Sequence, residues 1–383
     1  MKEKKSIYLV SGEPSGDFIG SEVMSELLKI YPDASFCGVG GQFMEGFNFK
    51  SIFPIGDLSV MGILPVLLKI KPLLGRINQV VNDILNNKPD IVILIDSPDF
   101  NHRVANKLRK KSFKPPIVCY VAPTVWAWRE KRVTSMSRDF NHLLSILPFE
   151  KDFFDGKGLS TTYVGHPIIP EINKVNKKDS FKLRHNIKNN PVLVFLPGSR
   201  TSEIKRHIKP FRKAFDVIKN QIPNIVLAIP IDEKKKYLVD EFFNDALFVT
   251  EKNKKLELFK EADVACAASG TVTLELGLSL VPMVVIYKLD FLTWSIVSRL
   301  AKVKFVSLVN LVLNKSSVSE LLQKECNSKN ISESIISLLK NKKLFLKKKK
   351  DLLEFKKIIE NNSINPSRKA AETISGIIEG SVT

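Results

Sequence analysis

The sequence predicts an α/β protein made of two Rossmann-like domains facing each other across a cleft. Short apolar runs such as Ile7–Val10, Ile91–Ile95 and Val192–Leu196 recur along the chain, as buried strands of a parallel sheet require. Each is followed by a turn rich in Gly, Ser or Pro, and most then lead into a segment with apolar residues at helical spacing, the pattern of strand, loop and helix units. This rhythm fills the N-terminal half, gives way to a polar, Lys/Asn-rich stretch between Glu171 and Asn190, and restarts, which marks a boundary between two domains.

In chain order, the strand Ile7–Val10 leads through Ser11–Gly16 into a helix over Asp17–Ile30, with Phe18, Val23, Leu27 and Ile30 on its inner face. A strand at Phe36–Val39, a helix at Leu73–Leu85, the strand Ile91–Ile95, a helix at Arg103–Lys111 and a strand at Ile117–Val121 follow. Leu143–Leu147 is a further apolar segment, and Tyr163–Pro167 closes the first series. The second series has strands at Val192–Leu196, Ile225–Ile229, Val264–Ala268 and Met283–Tyr287, with helices at Glu203–Lys219 and Leu256–Ala262. After Ser332 the chain is helical and basic to about Ile359, and Pro366–Ile378 forms a last helix. The expected organisation is an N-terminal domain over 1–170, a second domain over 171–340, and basic C-terminal helices over 341–383 that pack back on the first domain or on a dimer partner.

With 383 residues, 44% of them hydrophobic, the chain buries a large core, and general disorder is excluded. The four cysteines are widely spaced, unlike a zinc site or a disulfide framework. Neither a signal peptide nor an apolar run long enough to span a bilayer is legible, so the expected compartment is the cytoplasm. Lys and Arg number 59 against 40 acids, a net charge of +19. That excess fits phosphorylated ligands, an anionic membrane surface or nucleic acid; clusters such as Lys234–Lys236 and Lys347–Lys350 also fit a plain solvated face. No RNP, KH or zinc-finger signature supports nucleic acid.

The candidate chemistry lies at strand ends. Asp96 and Asp99 directly follow Ile91–Ile95, where open α/β sheets bind ligands and where a carboxylate can act as general base. Pro197-Gly198-Ser199-Arg200 joins a strand to a helix; Gly lets the backbone approach an anion, helix-start amides point at it, and Arg200 offers a planar fork to a diphosphate. Ser269-Gly270-Thr271 repeats that logic, with Thr273 beyond it and Glu275 one turn on, placed to hold a ribose diol. Glu13 and Asp17 flank the glycines of the first loop as candidates to orient sugar hydroxyls, Asp17 doubling as a possible helix cap. Trp126 and its neighbours suit sugar or acyl contact, or the core, and His166 is either a general base or a hydrogen-bonded structural residue. No metal-binding spacing occurs, so neither metal nor cofactor is expected. Val60, Met61, Ile63, Leu64, Leu67 and Leu68, flanked by Lys69 and Lys71, suit shallow membrane insertion as well as a buried helix.

These segments together resemble lipid-A-disaccharide synthase, a bacterial glycosyltransferase of the GT-B type. The resemblance runs through Ser11–Asp17, Gly38–Gly41, Val60–Ile63, Asp96–Asn101, Val121–Val133, Leu147–Lys151, Val164–Pro167, Leu196–Arg200, Ala268–Glu275, Pro282–Lys288 and Glu320–Gln323. It implies a metal-independent, inverting transfer from UDP-2,3-diacylglucosamine to 2,3-diacylglucosamine 1-phosphate, giving the lipid A disaccharide 1-phosphate and UDP. It further implies an enzyme peripheral on the cytoplasmic face of the inner membrane, in a family suggestive of dimers. Asp99 becomes the preferred base with Asp96 behind it, Arg200 and Asn310 join the donor site, and Ser15, Asp17, Asn101, Trp126, Arg129 and His166 join the acceptor or sugar site. Val309, Asn314-Lys315 and Ser319 depart from the family pattern, which has Pro, Gly-Arg and Pro there. Another GT-B enzyme acting on UDP-N-acetylglucosamine, either the peptidoglycan glycosyltransferase or a 2-epimerase, is the alternative within the class.

Overall fold

The computed structural model describes residues 4–58, 70–124, 131–175, 181–187, 189–300, 304–360 and 365–381. They form two units, Met1–Pro167 with Asn361–Thr383, and Ile168–Glu360.

In the first unit six strands, β1 (Ser6–Ser11), β2 (Ser35–Val39), β3 (Ile91–Ile95), β4 (Ile117–Tyr120), β5 (His142–Ser145) and β6 (Thr161–Tyr163), pair in parallel in the order β2-β1-β3-β4-β5-β6. All five residues of β3 are buried because both faces of the sheet are covered. Val92 and Leu94 pack with Ile77, Val80 and Ile84 of the helix Ile70–Asn87. Ile91, Ile93 and Ile95 face the other way, onto Val23, Met24 and Leu27 of the helix Pro14–Ile30 and onto Ala370 and Ile374 of the last helix, Pro366–Ile378. Alternation along a strand thus feeds two apolar layers. The last helix is also pinned through polar atoms, since the Tyr31 hydroxyl lies 2.7 Å from Ser375 Oγ and donates to Glu379 at 2.9 Å.

The second unit repeats the plan with β7 (Val192–Leu196), β8 (Val226–Pro230), β9 (Leu247–Val249), β10 (Val264–Ala268), β11 (Met283–Tyr287) and β12 (Ser319–Leu322), ordered β12-β11-β10-β7-β8-β9. Its core stacks Phe195 of β7 on Phe211 of the helix Thr201–Gln221, with ring centroids 3.6 Å apart. In each sheet the direction of winding reverses once, between β1 and β3 and between β7 and β10. Such a reversal is where the loops of an open sheet can leave a crevice.

The longer elements fall within a few residues of the sequence expectation. β9 and β12 do not follow from the sequence, because three or four residues carry too little alternation to register. The polar stretch after Glu171 is more structured than expected. It holds the end of a helix, Ile168–Lys174, and a turn of helix, Phe181–Arg184, anchored by the fully buried Phe181.

Gly38 in β2 has φ +131°, and a Cβ there would collide with the carbonyl oxygen of Leu9 on the neighbouring strand. Gly38→Ala is expected to destabilise the protein by about 3 kcal/mol, as strain at a Gly-only conformation implies. Urea unfolding measures it, and an unchanged midpoint would contradict the geometry.

Candidate active site

In the second unit a cavity of about 690 Å³ opens beyond the carboxyl ends of β7, β8, β9, β10 and β11. Pro230, Ile231 and Val249 make an apolar wall, Arg200, Lys235 and Lys255 bring positive charge, and Glu203, Asp232 and Glu251 bring carboxylates. The loop Pro197–Arg200 enters it from β7. Gly198 has φ +123°, and a Cβ there would come within 2.7 Å of the Glu203 side chain. Glu203, 9% exposed, folds back so that one carboxylate oxygen accepts the backbone N–H groups of Ser199 (3.1 Å) and Arg200 (3.2 Å). Of the amides around Gly198 and Ser199 expected to meet a diphosphate, that of Ser199 is therefore occupied from within, as is that of Arg200. What the loop offers the cavity is the Arg200 guanidinium, its side chain 62% exposed and 3.7 Å from Glu203.

The same loop is held from below by His207, fully buried on the helix Thr201–Gln221. Its Nδ1 donates to the Pro197 carbonyl at 2.7 Å and its Nε2 accepts the Lys288 N–H at 3.1 Å. A neutral ring with the proton on Nδ1 satisfies both partners, and burial pushes its pKa below the ordinary imidazole value in agreement. One side chain thus ties the exit of β7 to the exit of β11.

The loop after β10 is braced rather than free. Ser269 Oγ donates to the Val306 carbonyl at 2.7 Å, leaving Gly270, around which a Cβ would meet nothing within 4 Å, at the open cavity. Thr273, expected to bind donor, is fully buried; its hydroxyl donates to Gly270 O (2.8 Å) and accepts Leu308 N–H (3.3 Å). Asn310 is corrected in the same way. It is fully buried, its amide donates to Val318 O (3.0 Å) and Glu320 (2.8 Å), and its oxygen accepts the N–H groups of Ser317 and Val318. Glu320 also accepts both the N–H and the hydroxyl of Ser307. Asn310 therefore shapes the segment that supports Ser269 and has no polar atom left for a nucleotide. Glu275 is drawn to Lys255 at 2.6 Å, and of this pair Lys255 is the one lining the cavity. Lys315, at the departure from the family pattern, pairs with Asp351 (3.0 Å) and Glu354 (2.7 Å).

In the first unit the loops after β1 and β3 meet at the switch point. Gly12 lies so close to Ser97 that a Cβ would strike its hydroxyl. Asp96 and Ser97 adopt left-handed conformations, φ +55° and +40°, a strained turn of the kind found at functional sites. Asp96 accepts Ser15 Oγ at 3.2 Å and Ser97 N–H at 2.9 Å. Asp99 opens the helix Pro98–Lys110 with its side chain 77% exposed, and Arg132 reaches its carboxylate at 2.7 Å and the Pro98 carbonyl at 2.9 Å. Glu13 occupies the position that starts the helix Pro14–Ile30.

Three expected acceptor residues have structural employment. Asp17 is 3% exposed and accepts the N–H groups of Gly41 (2.7 Å), Phe43 (3.0 Å) and Met44 (3.2 Å), so it caps the short helix Gln42–Glu45 rather than its own. Asn101 is 1% exposed and its amide donates to Ile95 O and Asp96 O, pinning the end of β3. Burial holds the His166 imidazole down at about 4, too weak a base for a neutral-pH role. Trp126, Arg129, Val60, Met61, Ile63, Leu64, Leu67, Leu68 and Lys69 lie outside the described residues, as does the side chain of Lys71. Among the described residues no group of three or more His, Cys, Asp or Glu is placed to hold a metal ion.

Arg132, Glu203, Lys235, Lys255 and Tyr287 belong to these sites without having been singled out from the sequence. Lys235 was read as part of a solvated cluster, yet its Nζ donates to Ser199 O at 2.6 Å. The available signal was position, since Lys235 follows β8 closely and Tyr287 ends β11 at the same sheet edge.

Two parallel six-stranded sheets of this topology define the GT-B class of glycosyltransferases and related epimerases. The crystal structure of the glycotransferase of kitacinnamycin has a TM-score of 0.66 at 13% identity, covering 98% of this chain and 100% of that one. That of the UDP-GlcNAc 2-epimerase from Neisseria meningitidis bound to UDP-GlcNAc has a TM-score of 0.62 at 11% identity, covering 98% and 99%. The family model described as lipid-A-disaccharide synthetase matches residues 7–374. Lipid-A-disaccharide synthase of Gluconobacter oxydans (strain 621H) is 39% identical over 348 residues, covering 90% of this chain and 83% of its own. That of Rhodospirillum centenum (strain ATCC 51521 / SW) is 34% identical over 378 residues, covering 97% and 94%. The chain belongs to the lipid-A-disaccharide synthase family, glycosyltransferases of lipid A biosynthesis.

Asn310→Ala, which removes the side-chain partner of the Ser317 and Val318 N–H groups and of the Val318 carbonyl, is expected to destabilise the second unit by about 2–4 kcal/mol in urea unfolding. His102, His142, His166 and His207 are all held below the ordinary imidazole value, burial being the main cause in each. The unfolded chain then binds more protons once the pH drops below about 6.5, so their contribution is whole above that pH and is lost as pH falls through it toward about 4. His166→Gln should flatten the decline of the urea midpoint between those pH values; a variant with the wild-type slope would remove His166 from this effect.

Proposed function

We propose that this enzyme joins UDP-2,3-diacylglucosamine to 2,3-diacylglucosamine 1-phosphate, releasing UDP and a β-1,6-linked disaccharide 1-phosphate. The observation that carries the donor half is the cavity beyond β7 and β10, with an apolar wall and the three cations Arg200, Lys235 and Lys255. A flat base suits the wall, and the cations suit the two negative charges that gather on departing UDP. Arg200, presented by a loop that Glu203 and His207 hold from two sides, is assigned to the diphosphate. Lys235 and Lys255 are assigned to the diphosphate beside Arg200.

For the acceptor half we assign Asp99 as general base. It is exposed, aimed by Arg132, and can remove the proton from the acceptor 6-hydroxyl as that oxygen attacks the anomeric carbon. Asp96, already engaged with Ser15 and its own turn, stands second; Glu13 is assigned to sugar hydroxyls. Among the described residues no helix is long and apolar enough to cross a membrane. The acylated substrates lead us to propose an enzyme acting on the cytoplasmic face of the inner membrane, as a homodimer.

Mass spectrometry after incubation with both lipid substrates tests the reading, the tetraacyl disaccharide phosphate being the expected product. A mixture of sugar-nucleotide epimers instead would favour the activity named for the epimerase neighbours. Asp99→Ala should lower kcat by about 10²–10⁴-fold with a native melting profile. Near-normal turnover would move the base to another residue. Arg200→Ala should depress kcat/KM severely, and a chelator should leave the rate unchanged; restoration by magnesium of a lost rate would assign the diphosphate to a metal.

A further inference from the structure

The helix Lys342–Glu360 of the second unit has two faces of opposite character. Inward, Leu352, Phe355 and Ile359 are buried, and the Phe355 ring lies so close to Gly277 that a Cβ there would approach it to 2.7 Å. Outward, Lys343, Lys347, Lys350 and Lys357 are exposed along one stripe, with the exposed Glu354 in the turn between the last two. Leu346 and Leu353, 56% and 47% exposed, lie two turns apart on the same stripe. The helix carries eight lysines against three acids, Asp351, Glu354 and Glu360. None of the acids is left to offset the outer lysines, because Lys315 takes Asp351 and Glu354 and Lys356 reaches Glu360 at 3.6 Å.

Single exposed leucines are ordinary, but two in register within a lysine stripe form the surface that an interfacial helix presents to anionic lipid. Nucleic acid would use the lysines and gain nothing from the leucines. A second copy of the face would meet its own positive charge. We propose that this face docks the enzyme on an anionic lipid surface, the lysines at headgroup phosphates and Leu346 and Leu353 in the shallow acyl boundary. The inference rests on the reading that both substrates are acylated lipids, and it is separate from the Val60–Lys71 segment. It would keep the donor unit where a lipid-anchored donor is met.

The test is cosedimentation of the full chain with vesicles of phosphatidylcholine alone or mixed with phosphatidylglycerol, with no substrate present. Wild type should bind the mixed vesicles and release as salt is raised. Leu346→Glu with Leu353→Glu, and separately Lys343→Glu with Lys347→Glu and Lys350→Glu, should each weaken binding by at least about tenfold. The unfolding midpoint and the turnover of detergent-dispersed substrates should stay at wild-type values. Lys→Gln at the same three positions removes the charge with less disturbance and should also weaken binding. Unchanged vesicle binding in the leucine and lysine variants would overturn the proposal. So would tight binding of an RNA oligonucleotide without vesicle binding, or a dimer in sedimentation velocity that these variants dissociate. Loss of product in detergent with docking intact would count against the catalytic reading alone.

Discussion

The parallel pairing of β7 with β10 is the constraint on which the cavity of the second unit depends. Parallel strands deliver all their carboxyl ends to one edge, and where the winding reverses, neighbouring loops leave in opposite directions. The first unit has the same arrangement at β1 and β3, with a different result. There Gly12 is pressed against Ser97, and the turn through Asp96 is strained. In the second unit Gly270 faces open space and the gap becomes a cavity. The same reversal of winding thus produces a tight turn at Asp96 in one sheet and an open cavity in the other, although one strand lies beyond the reversal in the first sheet and two in the second.

The polar residues around the cavity divide into those that face it and those that hold its walls. Glu203 satisfies two backbone donors, His207 joins two strand exits, and Asn310 with Glu320 closes the segment from Val306 to Glu320. Buried polar groups are costly unless fully paired, so each such residue strongly favours one loop geometry over others. The cations that line the cavity, Arg200, Lys235 and Lys255, stand beside the carboxylates Glu203, Asp232 and Glu251, and Lys235 and Lys255 are themselves held by Ser199 O and Glu275. Positive charge there is matched to a ligand by position, while the much larger excess elsewhere is available to surfaces such as the outer face of Lys342–Glu360.

Much of this was legible in the order of residues. The buried strands stood out because burial on both faces demands unbroken apolar runs, and the loops at Ser11–Gly16, Asp96–Asn101, Pro197–Arg200 and Ser269–Thr271 stood out because glycine, serine and acid follow those runs directly. Both switch points carry residues picked out this way. Asp17, Thr273 and Asn310 were given functional roles that their burial and hydrogen bonds do not leave room for, whereas Asn101 spends its amide N–H groups on the end of β3 and keeps its side-chain oxygen. A short polar residue beside a candidate ligand loop looks alike in sequence whether it meets the ligand or caps a neighbouring segment.

What the sequence by itself determined is the fold class, the loops that lie at the strand ends, and the family, because periodicity, turn composition and motif order are local properties of the chain. Only the tertiary structure decided which polar atoms remain for a ligand. Asp17 finds its partners at Gly41 to Met44, His207 at Pro197 and Lys288, Lys235 at Ser199, and Lys255 at Glu275. A hydrogen bond is specified by positions in space, and those positions follow from the packing of the whole sheet.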